Sequence, residues 1–171
     1  MMMEDTQLFK QMDFIRMRTL AALDNTTEEL ADFVPEGFKN SIRWNLGHIY
    51  LSHENLIHSF AGEKGQIPEG FAEMFGFNTS PEAWEGKPPS LLELRLLLSE
   101  QPERLKASFM GKLSEKGEKP FQMTKEIAFE TLAEVVSFAN WHEGLHQGAI
   151  TAIKRVQGIE NLWEPVNLKA K

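Results

Sequence analysis

Two histidines, His142 and His146, lie four residues apart in the stretch Trp-His-Glu-Gly-Leu-His-Gln-Gly at 141–148. On an α-helix this spacing places the two side chains on one face, about one turn apart. Two imidazoles in this arrangement can bind one transition-metal ion from the same side. At about 100° per residue the pair falls in the middle of an apolar face, where a buried polar group needs a partner. The stretch therefore favours a metal site over two histidines that merely share a helix.

A third metal ligand is sought among the remaining histidines, which are His48, His53 and His58. His53 falls on the apolar side of a predicted helix and is interpreted as a core or boundary residue, whereas His58 falls near its solvated side and is predicted to lie on the surface. His48 belongs to a polar stripe and follows Gly47, which allows close approach. We therefore predict His48 as the third ligand. Three nitrogen ligands leave one coordination position open, which is typical of catalytic metal sites.

The polar stripe runs along the second predicted helix, between its apolar and exposed faces, and Trp44 flanks it. Its members are Ser41, Asn45, His48, Ser52, Asn55 and Ser59. One interpretation is a solvated helix edge. The other is a polar cavity with His48 at its mouth, for which the predicted pocket residues are Trp44, Asn45, Ser52 and Asn55.

Four long helices are expected to position these side chains. Apolar residues recur at helical spacing over about 5–24 and 40–60. Capping-box patterns open the third helix at Ser90 and the fourth at Thr131, and Pro102 should kink the third or shift its boundary. The long connection at 62–89 lets the second and third helices run parallel. A short extended piece is expected at 121–123. We predict an all-α protein, a four-helix bundle forming a single domain over residues 1–171.

The composition sets bounds on partners and ligands. The chain has 171 residues and a formal net charge of −7, which argues against nucleic acid as the main partner. It contains no cysteine, so a metal site must use nitrogen and oxygen ligands. A signal peptide is not recognisable at the N-terminus, and no apolar run is long enough for a transmembrane helix. We expect a cytoplasmic protein that does not associate with membranes.

The residues Asn-Ser-Ile-Arg-Trp-Asn-Leu-Gly-His-Ile at 40–49 and Trp-His-Glu-Gly-Leu-His-Gln-Gly-Ala-Ile at 141–150 together resemble the DinB/YfiT-like superfamily. In that family Trp-x-x-x-His on the second helix is followed, about ninety residues later, by His-x-x-x-His-x-Gly on the last long helix; here His48 and His142 are 94 positions apart (142 − 48). The resemblance covers nearly the whole chain. It implies a bundle with up-down-down-up order and a long crossover between helices 2 and 3. It also implies a homodimer and a divalent transition metal, zinc or nickel, bound by His48, His142 and His146.

The resemblance also implies a class of reactions. Characterised relatives include thiol transferases that use bacillithiol or mycothiol and a mycothiol-dependent isomerase, in which the metal activates the sulfur of the small thiol. The leading hypothesis is therefore a metal-dependent enzyme that transfers a low-molecular-weight thiol to an electrophile. A metal-dependent hydrolase is the nearest variant. The alternative is a non-enzymatic helical dimer that binds a metal or a small molecule, and a bundle without a metal is a further possibility.

Residues 142–146 also match the His-Glu-x-x-His pattern of zinc metalloproteases, in which the glutamate is the general base. That class needs a third ligand downstream and an edge strand that holds a peptide. Beyond the motif only Glu160 and Glu164 are acidic, and the sequence contains no convincing strand. In a DinB-like site Glu143 could instead handle protons as a catalytic residue or support a ligand. The remaining interpretation is a glutamate on the helix surface.

Overall fold

A computed structural model of the chain describes residues 3–163, so residues 1–2 and 164–171 of the predicted domain lie outside the described part. The described chain is mostly helical and includes one two-stranded sheet. Its α-helices are Met3–Asp24 (α1), Glu28–Asp32 (α2), Ile42–His53 (α3), Phe71–Phe75 (α4), Leu91–Phe109 (α5) and Leu132–Val156 (α6). A π-helical turn at Glu54–His58 continues α3, a 3-10 turn spans Pro81–Ala83, and the strands are Lys116–Gln122 (β1) and Ala128–Thr131 (β2).

The four predicted helices correspond to α1, α3, α5 and α6. Both predicted capping boxes are formed: Ser90 and Glu93 cap each other at the start of α5, and Thr131 and Glu134 do so at the start of α6. In each pair the hydroxyl accepts from the glutamate backbone N–H and the carboxylate accepts from the cap backbone N–H, which satisfies donors that a helix leaves free. Helix α1 packs against α5 and α6, and α3 packs against the same two helices.

The all-α prediction is wrong in one respect, because β1 and β2 form an antiparallel hairpin between α5 and α6. The predicted extended piece at 121–123 overlaps only the end of β1. Phe121 pairs with Phe129 across the hairpin, and both rings pack against Phe138 of α6. The hairpin is therefore fastened to α6 through aromatic contacts, one turn before His142.

Pro102 lies inside α5 and does not end the helix. Proline has no N–H, so the carbonyl of Leu98, four residues earlier, loses its helical partner. The guanidinium of Arg16 on α1 takes that place, since its Nη1 donates to the Leu98 oxygen at 2.7 Å. An inter-helix hydrogen bond thus compensates for the one that proline removes.

The π-helical turn changes the helical phase after His53. A π turn contains more residues than an α turn, so each later side chain is rotated away from the position that α-helical spacing predicts. This corrects the prediction for His58, which is buried against the Phe109 ring rather than exposed. Its ring nitrogens lie 3.4 Å from a Glu54 carboxylate oxygen and 3.6 Å from one of Glu63.

The apolar core is divided into two clusters by a layer of buried polar side chains. One cluster includes Ile42, Leu46, Ile49, Leu94, Leu98, Ile150 and Ile153. The other includes Phe9, Met12, Ile57, Leu105, Phe109, Val135 and Ala139. Each long helix contributes one residue to the layer between them: Arg16, His53, Gln101 and Glu143, none more than 2% exposed. No helix of the described residues has the length and apolarity needed to cross a membrane.

Candidate metal centre

Three of the five histidines converge on one point between α3 and α6. One ring nitrogen from each of His48, His142 and His146 can be chosen so that all three lie within 4.8 Å of one another. The Nε2 atoms of His142 and His146 are 3.2 Å apart. The His48 ring centroid lies 5.1 Å from that of His142 and 4.6 Å from that of His146. The structure therefore brings the two histidines of α6 together with His48 of α3, in a group that could hold a metal ion.

The orientation of His48 is set from the side opposite the cluster. Its Nδ1–H donates to the carbonyl oxygen of Phe75 at 2.6 Å, so Nε2 carries the free lone pair. Gly47 makes this contact possible, because a Cβ at that position would lie 2.4 Å from the Phe75 ring. Trp44 stacks on the His48 ring with centroids 4.5 Å apart and planes 13° from parallel. The Ser52 hydroxyl lies 3.3 Å from Nε2.

Asn45 orients His146 in the same manner. The Asn45 Nδ2 donates to the Ser41 carbonyl at 2.8 Å, which turns its Oδ1 toward His146. His146 Nδ1–H donates to that oxygen at 2.7 Å, so its Nε2 faces His142. Nδ1 of His142 is buried and has no hydrogen-bond partner among the described residues. Partners that hold the second ring nitrogen are a regular feature of metal-binding histidines.

The electrostatic environment favours neutral imidazoles. Burial, followed by repulsion from His48 and His53, lowers the pKa of His142 to about 4. Burial together with repulsion from His48 and His142 lowers the pKa of His146 to about 3. Burial also lowers the pKa of His48. All three rings therefore present lone pairs at neutral pH, and a set of three imidazole nitrogens, two of them on rings with fixed tautomers, fits a divalent transition metal.

A cavity of about 870 Å³ opens onto the three histidines. It is lined by residues from the segments 38–48, 77–79 and 138–153 and by Met123 of the hairpin loop. Its walls are mainly apolar, and three asparagines contribute polar groups. Pockets that bind small molecules usually combine apolar walls with a few placed polar groups in this way.

The four predicted pocket residues have different positions. Trp44 and Asn45 line the cavity. Ser52 is buried and contacts His48 without lining the cavity. Asn55 lies in the π turn, is exposed, and does not line the cavity. The polar stripe is thus buried from Ser41 to Ser52 and leaves the site where the helical phase changes.

Glu143 is part of the polar layer and does not line the cavity, which corrects its interpretation as a surface glutamate, while its proton-handling role stays a prediction. It is completely buried. Its two carboxylate oxygens accept from Arg16 Nε at 2.8 Å and Nη2 at 3.0 Å, and the Thr19 hydroxyl donates at 2.6 Å. His53 Nε2 lies 3.4 Å away. Burial raises the pKa of Glu143, but Arg16, His53 and the hydrogen bonds outweigh it, so the pKa is lowered and the carboxylate stays charged.

The family model described as DinB superfamily matches residues 11–150. The chain belongs to the DinB superfamily. The match spans most of the chain and includes all three histidines of the cluster. No curated protein matches the chain significantly. DinB membership and the three-histidine group together support a site compatible with a metal ion.

Several contributors to this DinB site are not apparent from motif spacing. Phe75 acts through its backbone carbonyl, which carries no side-chain signal. Met123 of the hairpin loop lines the cavity, and Phe138 of α6 lines it and contacts the Phe129 ring of the hairpin. An alternating pattern at 121, 123, 127 and 129 around a polar turn is a hairpin signal that could have indicated this element.

Proposed function

We propose that the protein is a metal-dependent enzyme that transfers a low-molecular-weight thiol to an electrophile. The observation that carries the proposal is the convergence of three imidazoles, two of them with fixed tautomers, at the floor of a cavity large enough for a small molecule. His48, His142 and His146 would hold the ion, with zinc or nickel as the metal that the resemblance implies. The ion would supply Lewis acidity that lowers the pKa of a thiol.

The transfer itself consists of defined bond changes. The thiol loses its proton to solvent, its sulfur forms a bond to an electrophilic carbon, and the leaving group departs with the electrons of the broken bond. The chain's contribution is to orient the reactants and exclude water. Trp44, stacked on His48, limits access to that ring from one side. Hydrolysis would use the same site with water as the nucleophile, and it is the nearest variant of this function.

Two other functions are weaker alternatives. A zinc protease of the His-Glu-x-x-His class needs its glutamate at the metal, whereas Glu143 is enclosed by Arg16, Thr19 and His53. A non-enzymatic helical dimer with a structural metal would need no open cavity beside the ligands. The cavity of about 870 Å³ at the histidines therefore favours an enzyme.

Metal content is the first test. Protein purified without an affinity tag is analysed for bound metal beside His48→Ala and, as a matched control, His58→Ala, which removes a buried histidine outside the cluster. We expect near-stoichiometric metal in the wild type and in His58→Ala and a large loss in His48→Ala. Absence of metal from reconstituted wild type refutes the proposal.

Turnover is the second test. Metal-loaded wild type is assayed with panels of small thiols and of electrophiles, and the His48→Ala protein and chelated wild type serve as blanks. Metal-dependent product formation on a thiol and electrophile pair supports the transferase. Product formation from esters or amides without added thiol indicates the hydrolase instead. A stoichiometric metal with no turnover on either panel favours the non-enzymatic dimer.

We further infer that the four long helices form an up-down-down-up bundle. The support comes from two contacts in each of three helix pairs. These contacts are Leu8–Asn140 and Ala22–Lys154 for α1 with α6, Asp13–Lys106 and Asp24–Arg95 for α1 with α5, and Asn45–His146 and His53–Glu143 for α3 with α6. Residue numbers rise together only in the first pair, so α1 and α6 run one way and α3 and α5 the other.

We also infer a homodimer, as the family resemblance implies, and we expect it to work in the cytoplasm. The cysteine-free composition suits a reducing compartment. Exposed apolar side chains on α1, Phe14 at 60% and Met17 at 55%, offer a surface that a second copy could cover. Analytical ultracentrifugation of the wild type and of Phe14→Ser tests the dimer. A wild type that sediments as a monomer at all concentrations contradicts it.

A further inference from the structure

Exposed apolar side chains gather at the opening of the histidine cavity. Five residues that line it are also exposed, by 37% to 86%: Phe38, Phe77, Met123, Trp141 and Leu145. We refer to these five side chains as the cavity mouth. They come from four separate segments of the chain, so their meeting is a property of the fold. A cluster of exposed apolar groups around a concave site marks a surface where something binds.

Aromatic rings continue from the cavity mouth to the histidines. The centroid of the Phe138 ring lies 5.4 Å from that of Trp141 and 6.2 Å from that of His142. The ring planes are 32° and 33° from parallel in the two pairs. From α3, Trp44 also lines the cavity and stacks on His48. A ligand that reaches the cluster therefore passes between flat apolar surfaces, which suit another flat apolar body.

The charge of the cavity wall differs from that of the whole chain. The chain contains 25 Asp and Glu residues, yet none of the described residues that line the cavity is acidic. Lys39, exposed at the rim, adds a positive charge. A protein with net charge −7 would repel anions in general, so a wall without carboxylates beside a lysine favours an anionic group at this place.

We propose that the cavity binds a small aromatic anion, with the flat apolar body between Trp141 and the histidines and the anionic group near Lys39. This inference rests on the proposed function, in which such a molecule is the electrophilic substrate. A cavity of about 870 Å³ lies within the range of small-molecule sites, about 300–1,000 Å³. It therefore has room for an aromatic body in addition to a small thiol.

Two fluorescent probes with the same rings separate the two parts of the proposal. Anilinonaphthalene sulfonate carries an anionic group and phenylnaphthylamine lacks it. Both are titrated into metal-loaded wild type and into Trp141→Ala and Lys39→Glu, and metal content and melting temperature are measured on each sample. Leu92→Ala and Lys64→Glu are matched controls, because both residues are exposed and neither lines the cavity.

We expect Trp141→Ala to weaken both probes by about tenfold, the loss typical of an aromatic anchor. Lys39→Glu should weaken the sulfonate by about fivefold and leave the neutral probe unchanged, because reversal of one exposed charge has a modest effect. The two controls should bind both probes like the wild type.

Each other outcome is decisive. Equal binding of both probes to wild type and to all four variants overturns the inference, and if metal is bound it leaves the proposed function intact. If the variants change probe binding as expected but the wild type binds no metal, the proposed function is refuted and the aromatic-anion site is supported. If Trp141→Ala changes sedimentation while probe binding stays the same, the cavity mouth is covered by a second copy and the inference is overturned.

Discussion

Replacing Glu143 with glutamine tests whether this carboxylate stabilises the bundle or acts on a substrate. Both oxygens are engaged by Arg16, and neither residue is more than 2% exposed. Glutamine keeps the shape but removes the charge, and its amide nitrogen faces a guanidinium donor. Arg16 keeps the Leu98 carbonyl and the single amide oxygen as acceptors, both of them neutral. The change therefore leaves a buried positive charge without a counter-ion.

The magnitude follows from the cost of such a charge. Breaking a buried ion pair by removing one partner costs about 3–5 kcal/mol. In a chain of this length each kcal/mol shifts the melting temperature by about 2–4 °C. We therefore expect Glu143→Gln to melt about 6–20 °C lower than the wild type. The double variant Glu143→Leu with Arg16→Met should recover most of this loss, because it removes both charges.

The assay is thermal unfolding followed by circular dichroism, with metal content measured on the folded sample below the transition. Glu100→Gln, an exposed glutamate of α5, is the matched control and should melt like the wild type. We expect Glu143→Gln to retain metal at low temperature, because its contacts are with the polar layer. An unchanged melting temperature together with complete loss of turnover would refute this reasoning and restore Glu143 as a catalytic base.

Two further predictions concern Asn45 and Lys154. Asn45→Ala should weaken metal binding by about 10–100-fold, because His146 loses the acceptor that fixes its tautomer; competition with a chelator measures this, and Asn140→Ala, which alters a buried asparagine outside the site, should bind metal normally. Burial lowers the pKa of Lys154 from 10.5 to about 8, so the folded state binds fewer protons than the unfolded state between those values and stability should rise with pH there. Relative to Lys154→Met, the wild type should gain up to about 3 kcal/mol between pH 8 and pH 10.5, and urea unfolding that shows no gain contradicts this.

The sequence was sufficient to predict features that depend on short-range spacing. His142 and His146 share a face because α6 is regular through the motif. The caps at Ser90 and Thr131 depend on residues three positions apart, so they can be identified without knowledge of the tertiary structure. His48 could be identified as the third predicted ligand because α3 is a regular α-helix from its cap to His53, so helical spacing gives the correct face for each residue.

Features that depend on tertiary contacts were not predictable in the same way. The π turn at Glu54–His58 has no simple sequence signal, and it reversed the predicted exposure of His58 and removed Asn55 from the pocket. The acceptor for His48 is a backbone carbonyl of Phe75, 27 residues away. Arg16 pairs with Glu143 across 127 positions, and helical spacing alone cannot specify such a pair.

Three consecutive residues of α6 show why a motif match alone did not determine the role of the glutamate. Successive side chains on a helix are rotated by about 100°, so neighbours in sequence face different surroundings. Trp141 is exposed at the cavity mouth, His142 faces the metal-compatible cluster, and Glu143 is buried against Arg16. In a metalloprotease the surface next to the glutamate is an open cleft, whereas here α1 covers it. The role of the residue is therefore decided by which neighbouring helix packs on its face.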